Sequence, residues 1–482
     1  MSPPGLAARP DATKYMALAG ADNAGEIQVT FRNLTKSAPA AFYLRKIPPG
    51  FKSLSLLGGA SMQCCGIDFG TSNSAIATGD KSGVRLLPVE GNADTLPSAL
   101  FFPATSKTAA FGRAAQQLFL EGEEGRFMRS LKRILGTPLM EQGTVVNGKA
   151  RAFDEIIGRF ISFLKTSAEK HLDAPLTQVV MGRPVHFIDG DDAGDRRAEG
   201  QLEAIARKAG FTDVGFQYEP VAAAFAHEMK VPGEKRALVA DVGGGTSDFT
   251  VIKVSARYMA RADRTQDILG NSGVRIGGND FDKSLSLGSF MPALGYRTMY
   301  GPKKFDVPLS PFHDISEWSK VNFLYTPRMR LEMKNILQES HSPKRLGRFV
   351  AALEKEAGHR ILAAVEAAKI DLTARESTAA AMDFLEPGLA VNIARSAFDG
   401  FIGPQVEKIG AAISECLARA GVTDESIEIV ILTGGPTETP LLRDMITARF
   451  PHAPVSEENK LSSVALGLGY DSLRRYSSLK AA

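Results

Sequence analysis

No stretch constrains the fold of this chain more than residues 237–253, ALVADVGGGTSDFTVIK, where an apolar run meets three glycines and leaves them as a run alternating apolar and polar residues. The pattern predicts a hairpin. Leu238, Val239 and Ala240 suit a buried strand leading into Asp241. Gly243, Gly244 and Gly245 permit positive φ and let backbone N–H groups approach an anion without interference from Cβ. Asp241 and Asp248 flank the turn, and carboxylates beside a phosphate site make chemical sense when a hydrated Mg2+ lies between. A tight β-turn whose glycines only satisfy backbone geometry would leave the same local trace.

A second segment, residues 63–78, QCCGIDFGTSNSAIAT, repeats the grammar. Asp68, Gly70, Thr71 and Ser72 follow one another as acid, glycine and Thr-Ser do from Asp241 to Ser247. Two such hairpins in one chain predict a duplicated architecture, each half giving one phosphate-binding turn to a shared cleft.

At 482 residues the chain is long enough for about three domain-sized units. Lys and Arg number 57 against 54 Asp and Glu, a net charge of +3. That balance argues against nucleic acid or an anionic membrane as the principal partner. Cys64, Cys65 and Cys416 have neither disulfide nor zinc spacing, and no apolar run reaches the roughly 18 residues that span a bilayer. A reducing cytoplasm is the expected compartment. Residues 1–61 are poorly patterned and are expected to be disordered or to precede the true start at Met62, with Phe42, Tyr43 and Leu44 as the alternative sign of a packed element.

The remaining signals alternate between strand and helix, which predicts an α/β fold with layered sheets. Strands are expected at 84–87, 96–102, 178–181, 214–218 and 427–432. Helices are expected at 153–172, 195–209, 221–229, 405–420 and 463–470. Phe127, Leu131 and Ile134 recur at helical spacing in RFMRSLKRIL and predict a helix over 126–135 with Lys132 and Arg133 off the apolar stripe. A long helix is expected from about Leu346 to Leu372, carrying Glu366, Lys369 and Thr373 on one face. Five prolines between 285 and 341 interrupt any long helix there, and Trp318 is expected to pack.

The order DFGTSNS, GRPV, EPVAAAFAHE, DVGGGTSDF, IGGNDFD, Glu366 to Lys369 and ILTGGPTETPLL resembles the nucleotide-binding domain of the seventy-kilodalton heat-shock chaperones, within the actin and sugar-kinase ATPase superfamily. The likeness runs from Met62 to Tyr470, and EPVAAA with KRILG is more particular to the chaperones. It implies a duplicated α/β, actin-like (ribonuclease H-like) ATPase fold with two lobes around a nucleotide cleft. Lobe I would be 62–235 with an upper part at 96–154, and lobe II 236–454 with an enlarged upper part at 283–395. Residues 455–482 would form a C-terminal helix returning to lobe I.

The resemblance also implies roles. Asp68 and Asp241 would hold waters of Mg2+. Gly70, Thr71, Ser72 and Asn73, with Gly243, Gly244, Gly245 and Thr246, would cradle the phosphates of ATP or ADP, joined by Gly277 and Gly278. Lys132 would contact the γ-phosphate, Glu219 and Thr246 would position the attacking water, and Asp241 or Asp248 would accept its proton. Glu366, Lys369 and Thr373, with Gly434 and Gly435, would meet ribose and adenine. Where the family places Ser and then an Arg that lies on adenine, this sequence has Pro436 and Glu438, which removes a cation-to-ring contact. No apolar linker or peptide-binding domain is read after Tyr470, as in short bacterial heat-shock-like members. The expected activity is therefore a slow, monomeric Mg-ATPase switch for a protein client or co-chaperone. A small-molecule kinase and a non-hydrolysing nucleotide-binding scaffold are the alternatives.

Overall fold

The computed structural model describes residues 15–21, 27–33, 64–80, 83–106, 108–259, 261, 264–456 and 462–476. The chain divides into two compact units, 1–60 and 61–482. In the first, strands Tyr15–Ala21 and Ile27–Asn33 pair antiparallel, with Ala21 opposite Ile27. The alternation in IQVTF is the local signal for this pairing, and the Ala, Gly and Pro around it obscure it over residues 1–61. Phe42, Tyr43, Leu44 and Met62 lie outside the described residues.

The second unit contains two five-stranded paths of the same design. In one, β1 (Cys64–Phe69) is central: β2 (Asn73–Asp80) and β3 (Gly83–Leu86) follow antiparallel on one side, β4 (Gln178–Arg183) and β5 (Asp213–Tyr218) run parallel on the other. In the other, β6 (Lys235–Val242) is central, with β7 (Ser247–Val254) and β8 (Ile268–Val274) antiparallel and β9 (Ile429–Thr433) and β10 (Val455–Ser456) parallel. The fold is thus a duplicated α/β architecture. Leu238, Val239 and Ala240 are fully buried, so β6 is covered on both faces, as the continuous apolar run requires.

Each half closes with a helix that binds the two sheets together. Helix α1 (Glu219–His227) packs on β6 and β7, while α4 (Ser463–Tyr476) packs on β1, β2 and β4. The two helices touch through small residues, a Cβ on Gly467 colliding with the Ala222 carbonyl, and α4 lies as close on β1, where a Cβ on Gly66 would collide with the backbone at Leu468 and Gly469. Val221 to Phe225, Val239, Ile431 and Leu468 form one apolar cluster between the sheets. Pro220 opens α1 at a position whose N–H has no helical partner.

Several expected elements differ. Residues 126–135 are not a helix: Gly125–Arg129 is a strand paired with Ala99–Pro103, Ser130 has φ 60°, and Leu131–Ile134 is a single 3-10 turn. Pairing with a distant strand overrides the helical spacing, and Lys132 is buried. The stretch 346–372 is two helices, Pro343–Glu354 and α2 (Gly358–Ala374). Between 285 and 341 the described helices are short, as the prolines imply, and Pro311 and Pro327 stand at the starts of Ser310–Ile315 and Pro327–Gln338. Pro404 lies inside the continuous helix α3 (Arg395–Ala420). Trp318 is buried, with the Arg129 guanidinium 4.9 Å over its ring. Among the described residues no helix is long and apolar enough to cross a membrane.

Candidate functional site

The cleft lies where the two central hairpins meet. The β6–β7 turn is closed by Gly243 N–H donating to the Thr246 carbonyl at 2.9 Å. Its glycines face the β1–β2 turn. A Cβ on Gly244 would collide with Ser72 Oγ, and one on Gly245 would stand 2.9 Å from Thr71 Oγ1. The Gly277-Gly278 segment lies against the same turn: Gly278 N–H donates to the Gly243 carbonyl at 3.0 Å and Asn279 N–H to the Gly244 carbonyl at 2.9 Å. Gly434, at φ 87°, completes the wall, where a Cβ would collide with the Val242 carbonyl. Only glycine fits such a backbone-to-backbone approach.

A cavity of about 330 Å3 opens here, within the range of small-ligand sites. It is lined by Asp68, Gly70, Thr71, Ser72, Asn73, Lys132, Glu219, Asp241, Gly243, Gly244, Thr246, Gly278, Glu366, Lys369, Thr373, Gly434, Gly435 and Pro436. Of the residues singled out from sequence, Asp248, Gly245, Gly277 and Glu438 do not line it. Asp248 lies behind the wall, opposite Asp241 in the β6–β7 register, and its Oδ1 accepts from Val185 N–H at 2.6 Å. Sequence reading missed Asn279, Ile370, Thr433, Thr439 and Val464, which also line the cavity. Ile370 had a readable signal, since it follows Glu366 by four residues and so shares its helix face.

Charge at the hairpin end is unbalanced. The Lys132 ammonium donates to Glu219 Oε1, both side chains being buried, and Asp68, Asp241 and Asp248 are the other acids here. Burial pushes the Asp68 carboxyl up to about 7, Glu219 adds to that, and Lys132 opposes it. Asp248 is likewise raised to about 7, by burial first and Glu219 second. Asp241 is raised well above the usual carboxylate range by burial, then by Glu219, Asp248 and Asp68. Burial pulls the Lys132 ammonium down, but Glu219, Asp68 and Asp248 outweigh it and hold the group above its ordinary value. Asp248 Oδ2 is buried with no hydrogen-bond partner. Desolvation thus penalises the charged forms of Asp68, Asp241 and Asp248, and a cation beside them would relieve the penalty.

At the outer end the charges are paired. Arg129 forks onto Glu366, its Nη2 donating to Oε1 at 2.7 Å and its Nη1 to Oε2. Lys369 Nζ stands 2.8 Å from Asp282 Oδ1. Thr373 Oγ1 donates to the Ile370 carbonyl at 2.7 Å. Arg133 and Asp280 join the two sides at 3.2 Å, and Asn279 Nδ2 donates to Ser130 Oγ at 3.0 Å. Nothing in the sequence spacing pairs Arg129 with Glu366.

Comparison with known proteins gives a consistent result. The profile of the family described as Hsp70 protein matches residues 64–287 and 344–471. The chain is 26% identical over 411 residues to the chaperone protein DnaK of Thermosipho melanesiensis, covering 83% of this chain and 57% of that protein. The same figures hold for the chaperone protein DnaK of Thermosipho africanus. The chain therefore spans little more than half the length of these relatives. Residues 288–343, which hold Trp318, fall outside the profile match.

Proposed function

The chain belongs to the Hsp70 protein family, and from that premise we propose that its cleft binds ATP and ADP with Mg2+, hydrolyses ATP slowly, and acts as a nucleotide switch for a protein client or co-chaperone. The observation that carries this reading is the buried Lys132–Glu219 ion pair beneath two facing hairpin turns, in the company of Asp68, Asp241 and Asp248. Phosphoryl transfer asks for positioning and charge neutralisation more than for covalent chemistry. The backbone of Gly243, Gly244 and Gly245, with Thr71 and Ser72, holds the phosphates. Lys132 offsets charge on the terminal phosphate, Glu219 and Thr246 orient water, and Asp241, the one of the two flanking acids that lines the cleft, takes its proton. Asp241 lines the cleft and burial holds its carboxyl well above the usual range, which suits a proton acceptor within reach of the water.

The residues fit a hydrated Mg2+. Asp68 and Asp241 are carboxylates whose charge is already penalised by burial. Among the described residues no three acidic, histidine or cysteine side chains are grouped to ligate a metal directly, so Asp68 and Asp241 would act through the ion's waters. When bound, the ion supplies screening of phosphate charge.

The test is purified protein with Mg-ATP and no other substrate, followed by capture of partners in the ATP and ADP states. Equal release of ADP and phosphate, with a partner retained in one state only, is expected. Phosphate passed to an added small alcohol in place of water would overturn the switch in favour of a kinase.

A further inference from the structure

The outer end of the cleft combines two apolar surfaces with polar groups that are already engaged. Of the large apolar side chains standing exposed among the described residues, Ile370, at 58% exposure, is the one that lines the cleft. Pro436, on the turn Gly435–Glu438, lines the same cleft. Gly278 lies between them: a Cβ there would stand 2.9 Å from Pro436 Cγ and 3.5 Å from Lys369 Nζ. The pyrrolidine ring thus stands close to α2 through Gly278 and Lys369, and Pro436 and Ile370 line one cavity. Three polar side chains of α2 at this end have protein partners, Glu366 with Arg129, Lys369 with Asp282, and the Thr373 hydroxyl with the Ile370 carbonyl.

An apolar pocket rejects a ligand with altered polar groups only weakly, whereas a site built to hydrogen-bond those groups rejects strongly. Resting on the nucleotide-binding reading above, we propose that Ile370 and Pro436 hold the faces of the nucleobase without reading its edge, so that this site accepts purine nucleoside triphosphates with little choice between adenine and guanine. Affinity then comes from the phosphates, and the base adds apolar contact alone.

The experiment is calorimetric titration of the full chain with Mg-ATP, Mg-GTP and Mg-tripolyphosphate, repeated with Ile370→Ala and Pro436→Gly. ATP and GTP are expected to bind within about threefold of each other, and Ile370→Ala to weaken both by about the same factor, roughly five- to tenfold, while tripolyphosphate affinity stays unchanged. ATP binding more than about thirtyfold tighter than GTP overturns the proposal. So does an Ile370→Ala variant that binds both nucleotides as the parent does. Failure of both nucleotides and tripolyphosphate to bind overturns the nucleotide-binding reading itself, and this inference with it.

Discussion

At the hairpin end of the cleft, Asp68, Glu219, Asp241 and Asp248 share Lys132, and burial keeps three of these carboxylates well above their usual range. At the outer end Glu366 behaves oppositely: burial raises its carboxyl, but Arg129 more than offsets this and holds it below the ordinary value. One end gathers four carboxyl groups around the Lys132 ammonium against close-packed glycine backbone, where burial disfavours the charged forms of three, and the other is neutralised by pairs that join the two sides. The difference separates the tasks. On the proposed function, the hairpin end would take a polyanion with its cation and the outer end an apolar group.

The largest effect that would sharpen this contrast lies at the hairpin end. Gly434→Ala puts a Cβ into the Val242 carbonyl at a φ of 87°, where the obstructing atom is backbone and cannot rotate away. A loss of about 3 kcal/mol in a denaturant titration is expected, and a loss under about 1 kcal/mol would mean that the wall yields.

Next comes Arg129→Ala, which strips the forked pair from Glu366 and the cation from Trp318. About 2 kcal/mol of stability should disappear. Trp318 is the only tryptophan in the chain, so its fluorescence reports directly on that loss. An unchanged spectrum would show that the outer end does not depend on the pair.

A pH dependence is expected at His359, smaller than either loss within about one pH unit of neutrality. His359 is packed among Phe119, Phe127 and Trp318, and burial, aided by Arg126, pulls it down to about 3. In the unfolded chain it titrates near its ordinary value, about 6.5. The unfolded state therefore binds a proton between pH 6.5 and about 3 that the folded state refuses. The stability tied to this neutral imidazole is complete above pH 6.5 and falls by about 1.4 kcal/mol per pH unit below it. His359→Gln should flatten that part of the stability-against-pH curve, and parallel curves for the two proteins would contradict the assignment. The smallest effect is Ile370→Ala, which at 58% exposure should change stability by no more than about 0.5 kcal/mol. A larger change would show that Ile370 serves packing instead of the cleft.

These two ends were not equally legible in the sequence. The hairpin end is written in short, local motifs, because the turns need glycines and carboxylates at fixed offsets, and the duplication follows from finding the grammar twice. Asp68, Thr71, Ser72, Asp241 and Thr246 all line the cleft. The outer end is made by contacts distant in sequence. Glu366, Lys369 and Thr373 share a helix face readable from their spacing, but Arg129 pairs with Glu366 across 237 residues. The misread of 126–135 has the same origin. Phe127, Leu131 and Ile134 fit a helix by spacing, while the pairing of Gly125–Arg129 with Ala99–Pro103 is a tertiary choice. Without that strand the burial of Lys132 could not be derived from its neighbours.

The most direct test of a buried Lys132–Glu219 pair serving phosphate chemistry is phosphate release from Mg-ATP by the parent beside Lys132→Ala, with nucleotide affinity and thermal unfolding measured on both. Slow release by the parent, falling at least about tenfold in a variant that still binds nucleotide and unfolds cooperatively, corresponds to about 1.4 kcal/mol of barrier and is the predicted result. Equal release by two folded, nucleotide-binding proteins would contradict it.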